Sequence, residues 1–120
     1  MQLEQSQDVG KIKTLTSDAF QREIGRGSGQ CAVEFMSYSC SFCGQLEPAL
    51  QEVAGILESR VKIFRVNTAT ESGLVENFRI DSTPTLIMFR DGKNVGRIEG
   101  PSPTVPSLLT AISQPFKAGT

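Results

Sequence analysis

The sequence predicts an α/β domain with a mixed five-stranded sheet and the element order β-α-β-α-β-α-β-β-α. Runs of strand length alternate with stretches of helical period over most of the chain, which favours parallel strands joined by helices. Near the end, an Asp-Gly pair joins two strand-like runs, and that dipeptide favours an antiparallel hairpin. A chain of 120 residues without repeats or low-complexity segments is typical of one domain.

The first part of the chain predicts two strands and a helix between them. Residues 10–15 indicate a short strand, and Thr16 or Ser17 can cap the helix that follows. Residues 31–36 form an apolar run interrupted only by Glu34, which is typical of a strand buried on both faces. This strand leads directly into a pair of cysteines.

A second helix follows the cysteines. Its apolar residues recur at helical spacing and are Leu46, Ala49, Leu50, Val53, Ala54 and Leu57. Pro48 falls within this pattern, where it removes one backbone hydrogen bond, so we expect a kink there.

The second half of the chain predicts three strands and two helices. Residues 61–67 indicate another buried strand, and residues 70–79 indicate a helix. Residues 85–89 and 94–99 are the predicted hairpin strands, with the Asp-Gly pair between them. The last helix is indicated by apolar residues at helical spacing, which are Leu108, Leu109, Ile112 and Phe116.

Composition argues against two classes of partner. Lys and Arg number 12 against 13 Asp and Glu, for a net charge of -1, and no basic run is present that would neutralise a nucleic-acid backbone. No apolar stretch approaches the roughly 20 residues of a membrane span, and the polar N-terminal residues lack the apolar centre of a signal peptide. We therefore expect no nucleic-acid or membrane partner and a cytoplasmic location, with the periplasm or secretion after loss of a leader as the alternative. The domain is expected at residues 10–116, between flexible ends at 1–9 and 117–120.

The three cysteines, Cys31, Cys40 and Cys43, are too few for a disulfide framework, and an odd number cannot all be paired within the chain. A structural zinc ion takes four Cys or His ligands, and the chain has no histidine, so we expect no metal site. Cys40 and Cys43, separated by two residues before a helix, favour a reversible dithiol, with two reduced packing residues as the alternative. Cys31 begins a core strand and is interpreted as a packing residue, with a regulatory thiol as its alternative.

Cys40 is the predicted nucleophile of this pair. The unpaired N–H groups and the dipole at the start of a helix stabilise a thiolate over a thiol. Cys43, one turn further on and less exposed, would then resolve the mixed disulfide.

Two longer stretches resemble the thioredoxin family. They are AVEFMSYSCSFCGQLEPALQEVA, at residues 32–54, and STPTLIMFRDG, at residues 82–92, within a resemblance that covers roughly residues 10–115. Four features agree in order: an acid before the cysteines, the CxxC pair, a proline after it, and a Thr-Pro-Thr that opens a strand. The chain departs from the commonest thioredoxins at Ser41 and Phe42, which replace Gly and Pro, and at Ser39, which replaces a tryptophan.

The resemblance implies a thioredoxin fold with helices on both sheet faces and thiol–disulfide exchange on protein disulfides. It implies no cofactor beyond the Cys40–Cys43 disulfide, an upstream thiol reductant such as a thioredoxin-reductase-like donor, and a monomer. Reduction is the favoured direction. A disulfide oxidase or isomerase is one alternative, and a thioredoxin-like interaction or chaperone module with an incidental CxxC is another.

The resemblance also assigns an acid and a proline to the site. Glu34 would be the buried acid that takes the proton of Cys43, unless it turns to solvent at the end of its strand. Arg65 matches a basic position of the family and could pair with Glu34, while a surface charge is its alternative. Pro84 is expected after a cis bond in a loop that packs against the CxxC, with Pro48 as a supporting residue of the helix.

The remaining predicted site residues would bind the substrate. The resemblance implies that Thr83 offers backbone groups to an extended substrate strand. The same groove would be lined by Tyr38, Ser39, Ser41 and Phe42, of which Phe42 is expected to be exposed. Ordinary surface or core packing is the alternative for each of them.

Overall fold

The computed structural model describes residues 8–118. The strands in this range are β1 (Asp8–Val9), β2 (Ile12–Thr14), β3 (Gln30–Met36), β4 (Val61–Asn67), β5 (Thr85–Arg90) and β6 (Lys93–Glu99). The helices are α1 (Ser17–Phe20, continued by a π-helical turn at Gln21–Gly25), α2 (Ser41–Leu57), α3 (Ser72–Asn77) and α4 (Val105–Ala118). Of the end segments that we expected to be flexible, residues 1–7 and 119–120 lie outside the described range.

The sheet has the strand order β1-β2-β4-β3-β5-β6. The central strand β3 pairs in parallel with β4 and antiparallel with β5, so the predicted mixed sheet is confirmed. The five predicted strands are β2 to β6, and Asp91 and Gly92 form the predicted turn between the last two. The sheet gains β1 at its edge, because Gly10 at a φ of 59° permits a tight turn back onto β2. Two residues are too few to show strand alternation in the sequence.

Each face of the sheet carries its own apolar core, because successive strand residues point to opposite faces. The face that contains Ala32 and Met88 is covered by α2 and α4. The face that contains Val33 and Phe89 is covered by α1 and α3. Glu34 lies two residues after Ala32 on the same strand, which places its side chain on the α2 side.

The helices differ from the predictions at their ends. Thr16, one of the two predicted caps, accepts a hydrogen bond from the Ala19 N–H at 3.2 Å and starts α1. α3 is shorter than the predicted 70–79 at both ends, and it stops before Arg79 because that residue adopts a left-handed φ of 52°, which an α-helix does not contain. α4 continues to Ala118, beyond the expected domain end at 116. None of the helices within residues 8–118 is both long and apolar enough to cross a membrane.

Candidate active site

Cys40 is the residue that starts α2. β3 ends at Met36, and a turn closed by the Cys40 N–H on the Ser37 carbonyl, at 3.1 Å, brings the chain to the helix. As the N-cap, Cys40 accepts a hydrogen bond on its Sγ from the Cys43 N–H at 3.1 Å. The same sulfur lies 3.5 Å from the Thr83 carbonyl oxygen, so its thiol form can donate to the loop across the site. Cys40 is partly exposed, whereas Cys43 is 3% exposed.

The two thiols differ in acidity. Burial opposes ionisation of Cys40, but hydrogen bonds from Cys43 and from the backbone N–H groups of Cys43 and Phe42 outweigh it and lower the pKa of Cys40. Burial, followed by the hydrogen bond to Cys40, raises the pKa of Cys43 to about 11. Cys40 is therefore the thiol that ionises first, and Cys43 keeps its proton.

A loop before β5 closes one side of the cysteine pair. The Thr83–Pro84 peptide bond is cis, as the resemblance implied, and Pro84 is buried. The Thr85 hydroxyl donates to the Ser82 carbonyl at 2.7 Å, and the Gly100 N–H donates to the Pro84 carbonyl at 2.9 Å. These bonds hold the Thr83 carbonyl against the Cys40 sulfur.

Beneath α2, Arg65 joins two carboxylates. Its Nε lies 3.2 Å from Oε1 of Glu34, and its Nη2 donates to Oε1 of Glu47. Glu34 is fully buried, which excludes the alternative of an acid turned to solvent. Within residues 8–118, Oε2 of Glu34 has no hydrogen-bond partner. Burial raises the pKa of Glu34 to about 7, with Arg65 opposing and Glu47 adding to the increase.

A cavity of about 200 Å³ opens beside the cysteines. It is lined by Met36, Ser37, Tyr38, Cys40, Cys43, Gly44, Glu47 and Arg65. The Cys43 thiol and the Arg65–Glu47 ion pair therefore line the same cavity. Glu47 was not predicted as a site residue, although its position four residues after Cys43 places both side chains on one helix face.

The other predicted site residues surround the cysteines in different environments. Tyr38 is 52% exposed, and Ser39 and Ser41 are exposed as well. The hydroxyls of Ser37 and Ser39 lie 2.9 Å apart in the turn before Cys40.

Two further predicted site residues, Phe42 and Pro48, lie in α2. Phe42, which we expected to be exposed, is partly buried beside Gly100, where an ideal Cβ on that glycine would lie 3.6 Å from Cε2 of the ring. Pro48 lies inside α2 and is exposed.

Cys31 lies away from the site, at the other end of β3. It is buried in the core on the α1 side, and its register partners are Lys62 and Phe89. Burial, and then the charge of Glu23, raise the pKa of Cys31 to about 11. These surroundings favour the packing interpretation of this thiol.

The family model described as Thioredoxin matches residues 11–113. The chain belongs to the thioredoxin family. The thioredoxin of Chlamydia pneumoniae is 35% identical over 89 residues, which are 74% of this chain and 84% of that protein. Thioredoxin 1 of Synechococcus elongatus is 30% identical over 89 residues, which are 74% of this chain and 83% of that protein. A relative named Thioredoxin Y1, chloroplastic, from Arabidopsis thaliana is 26% identical over 107 residues, which are 89% of this chain and 62% of that protein.

Solved structures confirm the thioredoxin fold. The crystal structure of human ERp44 form I has a TM-score of 0.78 to this chain at 23% identity, over 89% of this chain and 30% of that one. Membership of the thioredoxin family makes the protein a thiol–disulfide oxidoreductase in general, a chemistry that the family carries out with its own disulfide. Within residues 8–118, no three His, Cys, Asp or Glu side chains are grouped so that they could hold a metal ion.

Proposed function

We propose that this thioredoxin-family protein reduces disulfide bonds in other proteins through Cys40 and Cys43. The observation that carries the proposal is the contrast between a partly exposed Cys40 of lowered pKa and a buried Cys43 whose pKa is raised to about 11. This contrast suits a nucleophile and a resolving thiol, respectively. Relatives named thioredoxin that match most of both chains favour the reducing direction.

In the first step, the Cys40 thiolate attacks one sulfur of the substrate disulfide. A bond forms between the Cys40 Sγ and that sulfur while the substrate S–S bond breaks. Its electron pair leaves on the second substrate sulfur, which takes a proton from solvent. The product is a mixed disulfide between Cys40 and the substrate.

In the second step, Cys43 resolves the mixed disulfide. Its sulfur bonds to the Cys40 Sγ, and its proton passes to Glu34 by way of water. The remaining substrate sulfur leaves with the electron pair of the broken bond and takes a proton from solvent. Substrate then carries two thiols, and the protein carries the Cys40–Cys43 disulfide. A carboxyl with a pKa of about 7 is matched to accepting a proton near neutral pH.

The substrate chain would lie beside the loop that contains Pro84. The Thr83 backbone is proposed to pair with an extended substrate segment, because its carbonyl already faces the Cys40 sulfur. Ser39, Ser41 and the exposed Tyr38 would border that segment. Phe42 would contribute only the part of its ring that Gly100 leaves uncovered.

An upstream thiol reductant of the thioredoxin-reductase kind would return two electrons to the Cys40–Cys43 disulfide after each turnover. We propose that the protein acts as a monomer in the cytoplasm. Secretion or a periplasmic location is the alternative, and it would accompany disulfide formation rather than reduction.

A disulfide oxidase remains the second candidate function because of one specific contact. The Phe42 N–H, which a proline at this position would lack, helps to lower the pKa of Cys40, and a stabilised thiolate makes a dithiol more oxidising. Reduction potentials in this fold run from about -270 mV for a reductant to about -120 mV for an oxidase.

The reduction potential of the pair, measured against glutathione buffers and read by alkylation and mass, tests this choice. A value near the reducing end supports the proposed function, and a value near the oxidising end replaces it with disulfide formation. The wild-type protein should also reduce a model protein disulfide, and Cys40→Ser should not. Equal activity of the two would mean that the CxxC is incidental, as in an interaction or chaperone module.

A further inference from the structure

The site contains a second carboxylate, Glu47, which contacts Arg65. We propose that Glu47 is a positioning residue for thiol–disulfide exchange, because it shares the Arg65 cation with Glu34 and so leaves Glu34 able to hold a proton. This inference rests on the proposed function, in which Glu34 takes the proton of Cys43. Glu47 acts through Arg65 and need not contact the substrate.

The geometry fixes Arg65 between the two acids. Glu34 and Arg65 are register partners on β3 and β4, and Glu47 reaches Arg65 from α2 above them. The Glu47 carboxylate is itself held, because Gln51 Nε2 donates to its Oε2 at 2.8 Å. Gln51 in turn accepts the Lys11 N–H on Oε1 at 3.0 Å, which ties this part of α2 to the turn before β2.

One cation cannot fully neutralise two carboxylates. The Glu47 side chain is 30% exposed, so water can still solvate its carboxylate, whereas the Glu34 side chain is 1% exposed. Glu34 is therefore the acid for which ionisation costs more, and it is the one that binds a proton as pH falls. Its Oε2, which has no hydrogen-bond partner within residues 8–118, is the atom available for that proton.

The groups that face Glu34 from the neighbouring elements are few. Arg65 lies on β4, Glu47 lies on α2, and the register partner on β5 is the uncharged Leu86. Cys43, also on α2, shares a cavity with Arg65 and Glu47, and about 200 Å³ is ample for water. The Arg65–Glu47 pair thus borders the cavity of the Cys43 thiol and also contacts the buried acid through Arg65.

Removal of the Glu47 charge tests the inference. In Glu47→Gln, Arg65 interacts with Glu34 as its only carboxylate partner among the residues described, so Glu34 should ionise more readily. We expect its titration midpoint, followed by carboxyl ¹³C NMR in the reduced protein, to fall by about one pH unit, a tenfold change in proton affinity. In a plot of exchange rate against pH, the rise on the acidic side should also move to lower pH. The Glu34→Gln variant lacks the Glu34 carboxyl, so the signal that disappears from its spectrum is that of Glu34. This variant should also lose the rise in exchange rate on the acidic side.

Three further variants make the result specific. Glu52→Gln removes one negative charge from an exposed position of the same helix and should leave the Glu34 midpoint unchanged. Glu47→Asp keeps the charge and should retain most of the wild-type midpoint. Glu47→Ala removes the acid without adding an amide, and should reproduce the downward shift even if Glu47→Gln does not fold.

A wild-type midpoint in both Glu47→Gln and Glu47→Ala would overturn the inference, as would an equal shift in Glu52→Gln. Failure of the dithiol chemistry has a different signature, since wild-type protein would then exchange no disulfide, whereas an oxidase would be recognised by its reduction potential. The Glu34 titration would still decide in that case whether Glu47 controls its proton.

Discussion

Glu34 and Arg65 face each other across two parallel strands, with Oε1 of the acid 3.2 Å from Nε of the base. Each side chain is 1% exposed, so both charged groups are removed from water directly beneath the helix that carries the cysteines. A buried ion pair is a weak source of stability, because desolvation offsets most of the attraction between its members. Its location beneath the helix that carries Cys43 suits the proton transfer that we propose for Glu34.

The stability of the protein should depend on pH through Glu34. Because its folded pKa of about 7 lies above the ordinary value of 4.5, the folded state binds the proton more tightly than the unfolded state. This contribution is full below pH 4.5 and is lost as pH rises through about 7. Relative to Glu34→Gln, we expect the wild-type free energy of unfolding to fall over this window by at most about 3 kcal/mol.

Urea denaturation of reduced protein at a series of pH values measures this difference. Glu52→Gln controls for the loss of one negative charge, since that residue lies on the exposed side of α2. A wild-type curve that stays parallel to that of Glu34→Gln across the window would contradict the raised pKa.

The three thiols should react with iodoacetamide at very different rates. Cys40 is partly exposed and has a lowered pKa, whereas burial raises the pKa of both Cys43 and Cys31 to about 11. At pH 7 we expect Cys40 to react at least about tenfold faster than either, because only thiolates are alkylated. Peptide mass spectrometry after short labelling identifies the site, and Cys40→Ser should abolish the fast phase. Fast labelling of Cys31 would instead favour its interpretation as a regulatory thiol.

The elements that the sequence predicts best are those with a strong local pattern. β4 has the predicted bounds of 61–67, because most of its residues are apolar side chains that the two sheet faces bury, namely Val61, Ile63, Phe64 and Val66. The Asp91–Gly92 turn was also predictable, since Asp-Gly favours the two-residue hairpin with two positive φ values, here 51° and 83°. The CxxC stands at the start of α2 for a similar local reason, namely an apolar strand followed by a helical pattern.

The features that escaped prediction depend on contacts between distant segments. In the sequence, Glu47 does not differ from other charged residues of a helix. Only the fold brings Arg65 of β4 into contact with it. Phe42 was expected in solvent, but the chain returns after β6 and places Gly100 against its ring. Neither contact has a local signature, since each joins residues far apart in the chain.

Two glycines should respond to alanine in opposite directions. In Gly92→Ala, the new Cβ would lie 2.9 Å from the Gly25 carbonyl oxygen on a backbone with φ of 83°. We expect a loss of about 1–2 kcal/mol or more in the free energy of unfolding. Gly55 lies on an exposed part of α2, where an added Cβ meets nothing within 4 Å, so Gly55→Ala should gain about 0.5–1 kcal/mol. Urea denaturation measures both, and a stable Gly92→Ala would show that the turn adopts another conformation.

The Phe42 N–H should influence the direction of electron flow. It lies in the first turn of α2 and contributes to the lowered pKa of Cys40. Phe42→Pro removes this donor at a helix position that tolerates proline, so the thiolate loses stability and the pKa of Cys40 should rise. A hydrogen bond to a charged group is worth about 1.5–3 kcal/mol, so the reduction potential should become more negative by about 30–60 mV. Phe42→Ala keeps the N–H while removing the ring, and its potential should stay near that of the wild type. If Phe42→Ala shifts the potential as far as Phe42→Pro does, the ring packed beside Gly100, and not the backbone donor, tunes the dithiol.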